Sequence, residues 1–450
     1  MNLYAKLVRR AENGKAIRVG LVGAGKFGTM FLSQALRTPG LHVVGVSDLD
    51  PDRARAALLQ TGWPAERFCA PDAKRARKSG LTWVTDDTEG LIKGGIDILI
   101  EATGSPEAGI AHARLAIKQG VHLLMVNVEA DALAGPLLAE RARKAGLVYS
   151  LAYGDQPALI AEQVDWARAI GLSVVAAGKG TLYMPSFHKS TPGTVWKHYG
   201  IDAERAAASG MNAKMFNSFL DGTKSAIEMA AVANACGLSA PEDGLSFPAV
   251  PVEELAQQLI PKADGGVLAA KGMVEVVSSR TRRGQNLEND LRWGTYVTFE
   301  APTDYVRACF KDYGLITDAG GSYSALWRPY HLIGLELGLS VASIGLRGEP
   351  TGAPRSFRAD VVATAKKNLS AGRVLDGEGG YCVYGKLMPA RRSLEIGALP
   401  LGLASGVKLN RAVKAGEVIS LADVTTPDSG LHAEALKFRL KMEERIGADA

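Results

Sequence analysis

Short apolar runs alternate with helix-length amphipathic segments through the first third of the chain. Ile17 to Val22, His42 to Ser47, Ile96 to Glu101, Val121 to Val126 and Leu147 to Leu151 read as strands. Phe27 to Leu36, Pro51 to Gln60, Pro106 to Gln119 and Asp131 to Ala145 read as the helices between them. This alternation predicts a parallel, doubly wound sheet with its ligand crevice at the C-terminal strand ends. The rhythm breaks between Ala56 and Gly80, where the basic cluster Lys74-Arg75-Ala76-Arg77-Lys78 reads as a solvated helix face.

The pattern changes after Ala152-Tyr153-Gly154-Asp155-Gln156-Pro157. A helix from Ala161 to Ile170, a strand from Leu172 to Ala177, a long helix from about Gly222 to Cys236 and further strands at Met273 to Ser278 and Trp293 to Phe299 predict an α+β domain. Gly237 stands where the long helix should stop. A Pro/Gly-rich linker from Gly348 to Pro354 precedes a glycine-rich region of short strands, Asp360 to about Thr426, and a charged helix, Ala433 to Arg445. The fold class expected is therefore α/β: a Rossmann domain over 1–155, an α+β substrate and oligomerisation domain over 156–350, a small β-rich domain over 355–430, and a terminal helix over 431–450. The β-rich module is expected to carry little chemistry of its own.

Composition narrows the function classes. The 450 residues carry 52 basic and 47 acidic side chains, a net charge of +5 without any Lys/Arg run long enough for a nucleic-acid tail. Small anionic ligands remain as partners. The 4 cysteines, Cys69, Cys236, Cys309 and Cys382, lie far apart and argue against disulfides and a zinc site. There is no apolar signal region and no membrane-length apolar window, so the expectation is a cytoplasmic protein with no membrane partner.

The first candidate site is Gly23-Ala24-Gly25-Lys26-Phe27-Gly28, a G-x-G-x-x-G that ends a β-branched run and opens a helix. In that context the glycines permit a tight turn, close approach of backbone N–H groups to a pyrophosphate, and close helix packing. Asp48, twenty residues beyond Gly28, stands where an acid binds the adenosine ribose. Arg53 and Arg55 follow and could accept a 2′-phosphate, so NADPH and NADH both remain open. Thr103-Gly104-Ser105, before Pro106, reads either as a contact to ribose or nicotinamide or as an ordinary helix cap, and Asn127 follows a later strand.

The second candidate site lies in the middle region. Asp221, Lys224, Ser225 and Glu228 fall at i, i+3, i+4 and i+7, on one face of a helix whose other positions are apolar. A charged stripe on a buried helix must be paired internally or line a cleft. Lys179, His188, Lys189, Lys214 and Asn217 join it as the densest set of chemically capable groups. His331, in Arg328-Pro329-Tyr330-His331, reads either as a core histidine or as a substrate contact.

With these residues placed, the first two regions resemble the homoserine dehydrogenase group, whose substrate domain carries N-G-x-D-V-A-R-K-x-x-I-L-A-R. Asp221-Gly222-Thr223-Lys224-Ser225-Ala226-Ile227-Glu228 aligns with it, with Lys224 at the family's Asp and Glu228 at its Lys. The family's Asn-Lys is altered to Asn127-Val128. Both departures argue against homoserine as substrate. The third region resembles an SAF (β-clip) domain. The combination is similar to the DXR-like (DRL) proteins, with Val126 to Asp131, Ser150 to Pro157, Asn217 to Lys224 and Arg328 to Leu332 carrying the likeness. That resemblance implies NADPH-dependent conversion of 1-deoxy-D-xylulose 5-phosphate to 2-C-methyl-D-erythritol 4-phosphate in isoprenoid synthesis.

The expected chemistry is a carbon-skeleton shift to an aldehyde followed by hydride delivery. Glu228 or Asp221 would be the base, and Lys179 and Lys224 would hold the oxyanion. Analogy with metal-dependent reductoisomerases suggests Mg2+ or Mn2+, with Asp221 and Glu228 as the available carboxylates and no ligand spacing to prove it. The substrate's phosphate would fall to some of His188, Lys189, Ser190, Thr191, Lys214 and Asn217, with Arg328 and His331 as further substrate contacts. A homodimer is expected. Two alternatives stand beside this reading: a dehydrogenase acting on another hydroxy acid or sugar derivative, and a dinucleotide-binding sensor without catalysis.

Overall fold

Six strands form the first sheet of the computed structural model, which describes residues 2–208 and 211–447. They are β1 (Ile17–Val22), β2 (Leu41–Ser47), β3 (Trp83–Thr85), β4 (Ile98–Glu101), β5 (His122–Met125) and β6 (Tyr149–Leu151). Every pairing is parallel, in the order β3-β2-β1-β4-β5-β6. This is the Rossmann strand order, and the crossing from β1 to β4 makes it reverse direction beside the glycine turn. The strands are nearly continuous runs of buried apolar residues because both faces of a parallel sheet are covered. The sheet and its helices bear out the doubly wound reading of the first third.

The chain divides into two compact units, residues 1–159 with 332–355 and residues 160–331 with 356–450. The expected middle region therefore does not run to residue 350 as one body, because its last stretch returns to the first sheet. The Gly338–Arg347 helix buries Val341, Ala342 and Ile344 in the core that holds Ile17 and Val43. Its Gly345 approaches so closely that a Cβ there would stand 2.5 Å from the Ile17 side chain. Gly352 O accepts from Leu151 N at 2.7 Å, extending the contact along β6.

The second unit is built on β7 (Ser173–Thr181), β8 (Met273–Ser278), β9 (Thr295–Glu300) and β10 (Tyr323–Arg328), in the order β10-β9-β7-β8. β7 and β8 run parallel, while β9 lies antiparallel to both β7 and β10. The Thr223–Cys236 helix packs on this sheet, and every one of its 14 residues is buried. The apolar positions all round that helix anticipated such burial.

The helix's other neighbours come from the C-terminal region: β11 (Ala359–Ala365), β12 (Val374–Asp376) and β13 (Val383–Pro389), followed by β14 (Ser405–Leu409) and β15 (Val424–Thr425). β11 and β13 form an antiparallel pair lying against the Thr223–Cys236 helix, and β12-β14-β15 form a second small sheet. Asn234 fastens the join, its Oδ1 accepting from Arg358 N at 2.7 Å and Ala359 N at 3.0 Å. The terminal Gly430–Ile446 helix is anchored by fully buried Arg439, which donates two bonds to Asp360 at 2.6 and 3.1 Å. Among the described residues no helix is long and apolar enough to cross a membrane.

Candidate functional site

The glycine turn sits at the C-terminal end of β1 as the fingerprint requires. Gly23 has φ 100°, and a Cβ on it would stand 2.6 Å from Ala102 O at the end of β4, so both backbone sign and space demand glycine. A Cβ on Gly28 would stand 2.2 Å from Gly23 O, which explains the third glycine as a packing requirement. Gly25 has nothing within 4 Å of its missing Cβ, and it begins the Lys26–Ala35 helix without a side-chain cap. The open first turn leaves backbone N–H groups for an anion, so the turn fits a dinucleotide pyrophosphate. Lys26 is exposed beside it and Phe27 is half-buried.

Asp48 ends β2 facing the turn. Its Oδ2 accepts from Ala24 N at 2.8 Å, its Oδ1 accepts from Asp50 N at 3.0 Å, and Arg53 pairs with it. The carboxylate therefore braces the glycine turn and holds Arg53, whose side chain remains largely exposed. At the end of β4, Thr103 donates to Glu101 at 2.6 Å, and Ser105 caps the Pro106–Lys118 helix. Asn127 joins the neighbouring strand ends: its Nδ2 donates to Ser105 O at 2.8 Å while its Oδ1 accepts from Ala130 N at 3.0 Å. The helix after β5 thus begins at Val128, with Asn127 as its cap, rather than at Asp131. Gly104 is exposed in the left-handed conformation between Thr103 and Ser105.

In the second unit the expected charged stripe separates into two groups. Glu228, on the Thr223–Cys236 helix, forms a buried ion pair with Lys179 of β7. Lys224 stands one turn earlier on the same helix, also buried. Asp221 does not belong to that helix: it ends the Ala213–Leu220 helix, and Gly222, at φ 88°, separates the two. Its fully buried carboxylate pairs with Lys366 at 2.7 Å and accepts from Thr223 N at 2.9 Å. Burial pushes the Asp221 carboxyl upward, and the Lys366 charge opposes that shift.

Three of the six residues assigned to phosphate binding, His188, Ser190 and Asn217, lie around Asp221 and are occupied internally. Ser190 Oγ donates to Asn217 Oδ1 at 2.7 Å, and Asn217 Nδ2 donates to Gly379 O at 2.9 Å. His188 Nδ1 donates to Asp221 O at 2.7 Å, and its Nε2 accepts from the Tyr183 hydroxyl at 2.9 Å. Lys214 Nζ reaches Asp376 O at 2.7 Å. Lys189 is exposed, and Thr191 closes a turn with Thr194. Lys366 was not among the residues the sequence singled out, since no local pattern marks it. Its burial ties the β-rich region to the Asp221 cluster through an ion pair.

Lys179 gathers different company at one end of the sheet. Strand register places it beside Thr295, and Thr295 beside Arg328. Gly180 N donates to Gly294 O at 3.1 Å, and a Cβ on Gly180 would stand 1.9 Å from Leu291 O, so the loop before β9 lies tightly against β7. That loop presents Trp293 O to His331 Nδ1 at 2.7 Å. Burial lowers the His331 pKa; the Trp293 bond and Glu228 oppose the shift, while Lys179 and Arg328 add to it. Lys179, Glu228, Arg328 and His331 therefore share one electrostatic site.

The residues do not fit a divalent metal. Asp221 and Glu228 are each engaged by a lysine, and the described residues contain no group of three or more His, Cys, Asp or Glu side chains able to hold an ion.

Residues 154–337 match the family described as "Oxidoreductase DRL, catalytic domain". The match covers the whole of the second unit's first segment, residues 160–331, including Lys179, Glu228 and His331, and makes that stretch similar to an oxidoreductase catalytic domain. A 4-hydroxy-tetrahydrodipicolinate reductase of Cupriavidus necator is 29% identical over 137 residues, 30% of this chain and 45% of the relative. The chain thus spans less than half the length of that curated relative. Among solved structures, a myo-inositol dehydrogenase from Lactobacillus casei in complex with NAD(H) and myo-inositol is similar at 19% identity and TM-score 0.27, over 41% of this chain and 52% of that one. A dehydrogenase from Clostridium difficile is similar at 10% identity and TM-score 0.36, over 74% of this chain and 92% of that one.

Proposed function

We propose that this chain is an NAD(P)H-dependent oxidoreductase that exchanges hydride at the carbonyl or alcohol carbon of a small polar substrate. The observation that carries the reading is the buried Lys179–Glu228 pair, set within the stretch that matches an oxidoreductase catalytic domain. An ammonium held in the interior can polarise a carbonyl oxygen and stabilise its developing negative charge. Glu228 balances the charge that Lys179 brings out of water. The glycine turn would hold the dinucleotide through the N–H groups following Gly25, and the bound cofactor would supply or accept the hydride. Arg53 favours NADPH, because its exposed guanidinium could take a 2′-phosphate; NADH is the alternative.

The narrower reading is reductoisomerisation of 1-deoxy-D-xylulose 5-phosphate, which rests on the resemblance of the sequence phrases around Asn127, Tyr153, Lys224 and His331 to the DXR-like proteins. Under it, Lys179, Lys224 and Glu228 would handle the hydroxyl proton and the enediolate charge, and exposed Lys189 would be the readiest phosphate contact. We take the chain as a cytoplasmic homodimer without nucleic-acid or membrane partners, its 355–430 segment an SAF-like module.

The test is NADPH consumption with 1-deoxy-D-xylulose 5-phosphate, with and without Mg2+ or Mn2+, beside NADH, homoserine and a panel of hydroxy acids and sugar phosphates, with product identification by NMR. A branched product supports the reductoisomerase. Unbranched products support the broader dehydrogenase. Tight cofactor binding without turnover of any compound would favour the sensor, and absence of binding to both NADPH and NADH would sink the oxidoreductase reading.

A further inference from the structure

We propose that His331 is the acid–base catalyst of the Lys179–Glu228 site, its Nε2 exchanging a proton with the substrate oxygen. The proposal rests on the oxidoreductase reading above and goes beyond it by naming the group that moves the proton. It begins with strand register. Lys179 on β7, Thr295 on β9 and Arg328 on β10 are neighbours across three adjacent strands. Trp293 lies two residues before Thr295, and His331 three residues after Arg328. The His331–Trp293 hydrogen bond therefore closes over the same end of the sheet from which Lys179 reaches Glu228.

The bond also decides which ring nitrogen can react. A backbone carbonyl only accepts, so the 2.7 Å contact places a proton on His331 Nδ1. In the neutral ring the lone pair then lies on Nε2, which has no hydrogen-bond partner among the described residues. This is the relation of a base to its orienting group: one nitrogen held by a fixed acceptor, the other left for the substrate. His188 is the instructive contrast, since Asp221 O and the Tyr183 hydroxyl occupy both of its nitrogens.

Lys179 cannot take the substrate proton in oxidation while it is the ammonium partner of Glu228, because it then has no lone pair to offer. The charged groups acting on His331 are Lys179 and Arg328, which disfavour the imidazolium, and Glu228, which favours it. Burial, Lys179 and Arg328 outweigh Glu228 and the Trp293 bond, so the His331 pKa is lowered, the neutral ring is favoured, and a captured proton is easy to release. In oxidation the substrate hydroxyl proton passes to Nε2 as the carbinol C–H bond breaks. The C–H electron pair leaves as hydride to oxidised nicotinamide, and the C=O bond forms. In reduction the imidazolium Nε2–H returns the proton to the oxygen as hydride arrives at carbon. The substrate gains or loses two electrons and two hydrogens, and the nicotinamide balances the electrons.

Two measurements test the assignment. In 15N-histidine-labelled protein at about pH 7, with the His331 signals identified by their loss in H331N, long-range 1H–15N correlations are expected to show Nδ1 protonated and Nε2 bare. A protonated Nε2 with a bare Nδ1 overturns the proposal whatever the substrate proves to be. With the compound that the wild type turns over in the assay above, H331A is expected to lose about 10²- to 10⁴-fold in turnover. NADPH affinity should be retained, the corresponding limb of the pH–rate profile should vanish, and added imidazole should restore part of the rate. H331A activity within about threefold of wild type, or a loss that imidazole cannot reverse and that leaves the pH profile unchanged, overturns the catalytic role. Failure of the oxidoreductase reading would instead appear as wild-type inactivity, and the ring's protonation would then decide the proposal alone.

Discussion

Lys366 lies 2.7 Å from Asp221, and both side chains are almost completely enclosed. The lysine comes from the segment after β11 and the aspartate from the end of the Ala213–Leu220 helix, so one ion pair joins residues 145 positions apart (366 minus 221). Lys366 also donates to Ser190 O at 2.8 Å and Gly380 O at 2.7 Å. The C-terminal β-rich region is thereby built into the second unit.

Removing one partner should expose the cost of that arrangement. K366M leaves the Asp221 carboxylate buried without its counter-charge and is expected to destabilise by about 3–5 kcal/mol. The double variant K366M/D221L should lose less than the sum of the two single variants, because it removes both charges. Urea unfolding midpoints measure this. A K366M protein within about 1 kcal/mol of wild type would show that the pair is dispensable.

The glycine turn offers a sharper separation of folding from binding. G28A should damage the fold because its Cβ would meet backbone oxygen at 2.2 Å, whereas G25A meets nothing within 4 Å. G25A is therefore expected to unfold like wild type yet lose about tenfold or more in NADPH affinity, through obstruction of the phosphate. Calorimetric titration beside thermal unfolding decides it. Unchanged NADPH affinity in G25A would remove this turn from cofactor binding.

These two sites also mark what the sequence could reveal. The glycine turn was legible because its function depends on local backbone shape: a strand, three glycines and the start of a helix within the twelve residues Ile17 to Gly28. The buried character of the Thr223–Cys236 helix was equally legible from its small apolar positions. Pairing was not. Asp221, Lys224 and Glu228 share a helical spacing, yet Gly222 breaks the helix between Asp221 and the others, and the partners of Asp221 and Glu228 come from the segment after β11 and from β7, both remote in the chain. The return of residues 332–355 to the first unit leaves no local mark either, since the Gly338–Arg347 helix would suit any apolar surface.

Cofactor preference should turn on Arg53. Its guanidinium is held by Asp48 while its side chain remains largely exposed. R53A is expected to weaken NADPH binding by about tenfold, the order of one charge-assisted hydrogen bond, with little change for NADH. Fluorescence titration with both cofactors measures the ratio. Equal losses for both would assign Arg53 to bracing Asp48 instead of reading the 2′-phosphate.

The Lys179–Glu228 pair can be divided into stability and catalysis. K179M and E228Q should each destabilise by about 3–5 kcal/mol, since each strands a buried charge. The double variant K179M/E228Q removes both charges and should recover much of that stability while remaining inactive. Unfolding curves and turnover on the same preparations make the comparison. A stable double variant with wild-type turnover would leave the pair a purely structural role.

Asp131 should give the first unit a distinct pH dependence. Its Oδ1 accepts from the Tyr149 hydroxyl at 2.7 Å, its Oδ2 is buried without a hydrogen-bond partner, and burial pushes its pKa from 3.8 up to about 7. The folded state thus keeps a proton that the unfolded chain releases near pH 3.8. The stability due to this group is complete at the acid end, falls as pH rises through that interval, and is exhausted above about pH 7. At about 1.4 kcal/mol per pH unit, the loss approaches roughly 4 kcal/mol. D131N keeps an oxygen for Tyr149 and carries no titrating proton, so its profile should lack that decline. Asp221 and Glu275 are also raised by burial and add slopes of the same sign. The difference between wild-type and D131N unfolding across this range therefore isolates the Asp131 contribution, and parallel profiles would show that Asp131 is ionised in the folded protein.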